Sequence, residues 1–145
     1  DEKCEAQPQD ILTWTKGKAL IATGTAFPPI EYLNRQVPIA QCNNALVFPG
    51  IGLGVMAVSA TRLTKEMIIA AAETLCQFAP SKNDSFLPLL PALDNAQIVA
   101  KAIAQAVAQC AIDSGHAQKN QEVDLKELIE TTFWEPKYLP FRSCK

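Results

Sequence analysis

The sequence has a single histidine, no apolar run of membrane-spanning length and no excess of basic charge. With no second histidine and no acidic partner at metal-ligand spacing, His116 reads as a surface residue rather than a ligand. One histidine is also too few to assemble a Ser/His/Asp or Cys/His nucleophile constellation. The richest apolar stretch, Ala45 to Ala60, is broken by Pro49, Gly50, Gly52 and Gly54, whereas a membrane helix needs roughly 18 or more consecutive apolar residues. Thirteen Lys and Arg against fifteen Asp and Glu leave a net charge of −2 and a pI of about 5.4. That balance carries no electrostatic footprint for nucleic acid. The chain opens at Asp1 without a basic-then-apolar leader, so the expectation is a segment processed or cut from a longer polypeptide. Its five cysteines are odd in number and form no CxxC pair, which disfavours a disulfide framework and fits reduced thiols in a cytoplasmic protein. Cys42, Cys76, Cys110 and Cys144 fall 34 residues apart, but their flanks share no pattern and no repeat is implied.

What remains is ordinary globular material, 48% hydrophobic over 145 residues, enough for one domain that buries roughly two thirds of its extended surface. Gln9 to Trp14 suits a short helix closed by Gly17, and Lys18 to Thr23 reads as a buried strand ending at Gly24. Ile30–Tyr32 and Val37–Ile39 can form a small edge hairpin around Asn34, since Pro38 bars a central strand. From Asn43 the pattern becomes helical. Leu46 to Val58 is apolar on nearly all sides and predicts a buried helix, with Pro49 tolerable only near its start. Thr64 is the N-cap of a second helix carrying Met67, Ala71, Leu75 and Phe78 on one face. Asp94 with Gln97 resembles a capping box for a third, with Val99, Ile103, Ala106 and Cys110 as its stripe and Gly115 as its stop. A fourth starts at Asp124, with Leu125, Leu128 and Ile129 inward; Glu122, Asp124, Lys126, Glu127 and Glu130 form a solvated face. Trp14 and Trp134 read as packing residues, and the tail from Phe133 to Phe141 as lying against a surface. One main strand and four helices cannot close a sheet. The fold class is therefore α/β, as part of a layer whose other strands lie elsewhere.

Two clusters invite chemistry. Gly50-Ile-Gly52-Leu-Gly54 lacks the spacing of a dinucleotide loop, which needs GxGxxG directly after a strand. Alternate glycines letting a buried helix approach neighbouring backbone is the stronger reading. In Gln41-Cys42-Asn43-Asn44, adjacent carboxamides before a helix can bind a carboxylate or hydroxyl without adding charge. A turn plus N-cap is the commoner use of the same residues. Cys42 reads as a small buried neutral side chain rather than a reactive thiol.

Trp14-Thr-Lys-Gly-Lys-Ala-Leu-Ile-Ala-Thr-Gly24 and Gln41-Cys-Asn-Asn-Ala-Leu-Val-Phe-Pro-Gly-Ile-Gly-Leu-Gly54 resemble two blocks in the C-terminal region of malic enzymes of bacterial type. Weaker similarity runs through Leu63–Thr64, Met67–Leu75, the Leu-Pro pair near residue 87 and Trp134–Tyr138. Cys42 stands where Gly or Ala is more usual, and Ala26 where Pro often follows. The resemblance implies that residues 1–145 are one partial domain, the C-terminal portion of a Rossmann-like dinucleotide-binding domain. It implies an oxidoreductase that converts malate to pyruvate with NAD or NADP and a divalent metal, magnesium or manganese. It further implies that Asn43 and Asn44 face substrate and cofactor and that Gly50, Gly52 and Gly54 pack behind the site. The acid–base pair, the metal ligands and the phosphate loop would lie outside the segment, so no catalytic or metal-binding residue is expected within it. The rest of the same polypeptide would be its partner, and a homo-oligomer is expected at full length. The runners-up are a malolactic enzyme on the same framework, releasing lactate, and a non-catalytic helical interaction module.

Overall fold

The computed structural model describes residues 5–118, 124–135 and 138. Helix α1 (Pro8–Trp14) carries Pro8 in its first turn, where a missing N–H costs nothing. Four short strands follow. β1 (Ala22–Thr23) pairs in parallel with β4 (Ala40–Gln41), in the register Ala22 to Ala40 and Thr23 to Gln41. β2 (Ile30–Tyr32) and β3 (Arg35–Val37) form an antiparallel hairpin. Its two-residue turn is Leu33-Asn34, with φ of 50° and 59°. Two positive φ values in a row give a primed turn whose twist matches the flanking strands. Two expectations shrink here. The strand foreseen over Lys18–Thr23 is reduced to its last two residues, because its ladder partner is only two residues long. The hairpin's second strand stops at Val37 rather than reaching Ile39, since Pro38 has no N–H to continue the ladder.

Four helices make a separate cluster: α2 (Phe48–Ala57), α3 (Lys65–Gln77), α4 (Ala96–Asp113) and α5 (Leu125–Thr132). Thr64 caps α3 as foreseen, its Oγ1 accepting from the Met67 N–H, and Asp124 Oδ1 caps α5 through the Lys126 N–H at 3.0 Å. Gly115, at φ 70°, ends α4. There the His116 N–H donates to Ala111 O at 2.8 Å and the Gly115 N–H to Ile112 O at 3.0 Å, the paired bonds of a Schellman stop. The capping box at Asp94 does not form. Leu93–Asn95 winds as a 3₁₀ turn running straight into α4, so Asp94 lies inside wound backbone and Asn95 makes no side-chain cap bond.

The α4 stripe is also displaced. Val99 and Ile103 are buried as read, but Val107 and Ala111 continue the row while Ala106 and Cys110 are only half-buried. A second row, Ala100, Ala104 and Ala108, is buried beside it. Helix α4 packs against both α2 and α3, so it needs two adjacent i, i+4 rows rather than one wandering stripe. Small residues in the second row let α2 come close. A Cβ placed on Gly50 would lie 2.7 Å from Ile103 Cβ, and one on Gly54 would lie 2.6 Å from Ala104 O. Gly52 behaves otherwise: a Cβ there would meet nothing within 4 Å among the described residues. The packing role expected for all three glycines therefore holds for Gly50 and Gly54 only, because positions two apart on a helix point to different sides.

A second, smaller core joins Leu12, Ile30 and Val37, with Tyr32 and Phe86 against it. Trp14 and Trp134, read as packing residues, are 69% and 77% exposed, since neither core reaches them. In the tail, Tyr138 is exposed; Cys4, Glu122, Cys144 and the remaining tail residues 136–137 and 139–145 lie outside the described residues. No helix among the described residues is long and apolar enough to cross a membrane.

Candidate site at the carboxyl ends of the parallel strands

The parallel pair decides where the polar residues gather. Thr23 and Gln41 end their strands side by side, and the Cys42 N–H donates to Thr23 O at 2.8 Å, extending the ladder by one bond. Gly24-Thr25 and Cys42-Asn43-Asn44 thus leave the sheet at the same edge. In open α/β sheets the carboxyl ends of parallel strands are where ligands sit.

Asn43 is extended, with φ −122° and ψ 130°, and its Oδ1 accepts from the Ala45 N–H at 2.9 Å. That bond caps the 3₁₀ turn Asn44–Leu46, which leads into α2. The capping role anticipated for these residues is therefore real, but it uses only the oxygen of Asn43. With Oδ1 held, the orientation of the amide is fixed and its Nδ2 is left as a pure donor. Asn44 is exposed, and no hydrogen bond among the described residues engages its carboxamide. It can donate and accept. A fixed donor beside a free carboxamide suits a ligand presenting a carboxylate and a hydroxyl.

Cys42, read as buried, is exposed. The ladder ends at this residue, and among the described residues no element covers its side chain. Beside β1 lies a cleft of about 480 Å³ lined by Glu5, Ile11, Thr23, Gly24, Thr25 and Phe27, among others. Thr23 Oγ1 is committed to Thr25 O at 2.8 Å, which shapes the turn leaving the strand. Asn43 and Asn44 do not line this cleft. Sequence reading missed these neighbours because only the parallel pairing, a tertiary event, puts Thr23 beside Gln41.

Elsewhere the titratable groups are structural. Two bonds hold the Asp84 carboxyl below the usual carboxylate range: first the Phe86 backbone N–H, then the Arg35 guanidinium. Backbone and Thr64 hydrogen bonds at the start of α3 lower Glu66, and burial raises the Cys110 thiol. His116 is half-buried, next to the α4 stop. Among the described residues no group of three or more His, Cys, Asp or Glu side chains could hold a metal ion. The donor set of the described residues does not fit a divalent cation. Gly50, Gly52 and Gly54 lie within helix α2, which removes the phosphate-loop reading.

The family model for the malic enzyme NAD-binding domain matches residues 1–112. The chain belongs to the malic enzyme family. NAD-dependent malic enzymes of Salmonella arizonae and Salmonella typhi are each 47% identical to it over 140 residues, which is 97% of this chain and 25% of theirs. The chain thus spans about a quarter of the length of the curated relatives it matches. Malic enzyme crystal structures share the fold. That from Pyrococcus horikoshii aligns at a TM-score of 0.59 with 31% identity, over 78% of this chain and 23% of its own. That from Entamoeba histolytica aligns at 0.67 with 26% identity, over 88% and 24%. The mostly helical unit with small sheets is the malic enzyme NAD-binding fold, as the sequence blocks implied. The malolactic alternative finds no support in these relatives.

Proposed function

We propose that this malic enzyme chain presents Asn43 and Asn44 to the substrate and nicotinamide of an NAD-dependent malate oxidoreductase. The observation that supports it is their position just past the carboxyl end of β4, in parallel register with β1. Malate carries two carboxylates and one hydroxyl. The Nδ2 of Asn43, oriented by the bond from Ala45 to its Oδ1, donates to a carboxylate. The free carboxamide of Asn44 orients the hydroxyl or a carboxylate oxygen. NAD, when bound, accepts the hydride that the hydroxyl-bearing carbon releases, and the keto acid then loses carbon dioxide to give pyruvate. Neither asparagine carries the proton or the electron pair. Their work is orientation without added charge, which holds an anionic substrate close to a reacting carbon.

The chemistry that moves protons and polarises the carbonyl belongs to other parts of the polypeptide, as does any magnesium or manganese ion. The free thiols of Cys42, Cys76 and Cys110 support a reducing, cytoplasmic setting. A homo-oligomer at full length is part of the same proposal. In a full-length enzyme carrying this sequence, Asn44→Ala lowers kcat/KM for malate by about 1–3 kcal/mol, the cost of a hydrogen bond to a charged group. Steady-state kinetics reads this directly, and an unchanged kcat/KM removes Asn44 from the site. Pyruvate with stoichiometric NADH is the expected product pair.

A further inference from the structure

Two links among the described residues run between the small core and the helical one. The first is the chain itself. Asn44–Leu46 leaves β4 as a 3₁₀ turn and packs against α2 and α4, with Leu46 buried at its end. The second is the loop after α3, where Phe78 packs on the helical core and Phe86 on the small one. That loop is braced within itself: the Ser81 N–H donates to Pro88 O at 3.1 Å and the Leu87 N–H to Asp84 O at 2.9 Å. It is a strut rather than a slack connection. Arg35 fastens the strut to β3, pairing with Asp84 and lying over the Phe86 ring.

One link alone makes a hinge, and a few residues at the end of an element are where hinges absorb backbone rotation. Here the hinge turn begins at Asn43 and contains Asn44, so a change of angle between the cores swings both carboxamides. A second link removes that freedom. From Arg35 the chain runs through Val37 and Pro38 to β4 and Asn43, so the clamp grips the start of the segment whose end carries the candidate site.

We propose that Arg35 is a positioning residue for malate: fastened to Asp84 and Phe86, it fixes the angle between the two cores and hence where Asn43 and Asn44 point, without touching substrate. The inference rests on the reading of those two residues as substrate-facing. The Arg35 side chain is 51% exposed, so the clamp tunes the site rather than creating it. An exposed ion pair with a ring contact holds an effect of about 3- to 10-fold.

Steady-state kinetics of a full-length malic enzyme carrying this sequence tests the clamp, with Asn44→Ala measured in parallel. Arg35→Ala raises the KM for malate by about 3- to 10-fold. Asp84→Asn does the same, since it keeps an oxygen for the Phe86 N–H and loses the charge that holds Arg35. Arg35→Lys recovers part of the loss, because it restores the charge without the planar stacking group. The double variant separates positioning from plain stability. Acting through the carboxamides, Arg35→Ala has a smaller effect when Asn44 is already alanine, whereas a merely structural role gives the same factor in both backgrounds. Equal factors overturn the proposal. So does a KM that neither clamp variant moves while Asn44→Ala still weakens malate use, a result that leaves the site reading intact. Unchanged kcat/KM in Asn44→Ala sinks the site reading, and this inference with it.

Discussion

At the scale of single residues, the glycines of α2 show what a motif can and cannot disclose. Their spacing announces close approach, and the structure locates it on α4, at Gly50 and Gly54, but not at Gly52. The sequence could not assign sides, because which face meets α4 depends on how the helices dock. Gly50 offers a direct test. A Cβ there would stand 2.8 Å from Ala100 O, a backbone atom that cannot rotate away. Gly50→Ala therefore forces α2 and α4 apart, and overpacking of this kind costs about 1–3 kcal/mol. Urea denaturation should show a lower midpoint with unchanged slope; an unchanged midpoint would mean that the two helices can separate without loss. Other single residues were legible from chemistry that stays local. Thr64 caps α3 and Asn34 sits in its turn as read, because both bond or bend within a few residues of themselves. Asn43 was read in two ways, and its geometry accommodates both: its oxygen caps while its nitrogen stays available.

At the scale of elements, helices were easier to read than strands. In α2, α3 and α4 the chain winds over ten or more residues, whereas β4 is two residues long and is defined only by its partner β1. Trp14 and Trp134 were misplaced because aromatic character signals burial without saying what buries it. One inter-element clamp was invisible altogether, since Arg35 and Asp84 are 49 residues apart in sequence. Arg35 Nη2 donates to Asp84 Oδ2 at 2.8 Å, and the guanidinium lies 4.3 Å from the centre of the Phe86 ring. Asp84 Oδ1 meanwhile accepts from the Phe86 N–H at 2.9 Å. The hairpin is thereby tied to the loop after α3. Because the carboxyl is depressed in the folded state, its contribution is fully present above the unfolded value of about 4 and is lost as pH falls through the folded one. The melting temperature of the chain should fall below pH 4 more steeply than that of Asp84→Asn. Parallel acid profiles for the two proteins would leave the clamp without a role in stability. Both partners are well exposed, so the difference should also shrink in high salt.

For the whole molecule, the decisive property is that its parallel sheet has two strands among the described residues. Parallel sheets occur covered on both faces and rarely stand so small, and a single clear strand already implied an incomplete layer. What the sequence could not show is how the two cores divide: one joins α1, the hairpin and the loop at Phe86, the other joins α2 to α5. The candidate site lies at the passage from the sheet to the helices, where Asn43 leaves β4 and α2 begins. As proposed, it offers donors to an anionic substrate, and the described residues hold no metal cluster. General acid–base groups contribute about 10²–10⁴-fold to such reactions, and a metal ion contributes several kcal/mol of charge stabilisation on the keto acid. Orientation by two carboxamides replaces neither. On the proposed reading, which assigns that machinery to other parts of the polypeptide, the 145-residue chain, given malate, NAD and a divalent cation, should form no NADH above the uncatalysed rate, while a full-length enzyme carrying the same sequence should turn over. Absorbance of NADH in the two reactions makes the comparison. Sustained NADH formation by the short chain would place acid–base machinery within these residues, and Asn43 and Asn44 would then be only part of an active site that is complete here.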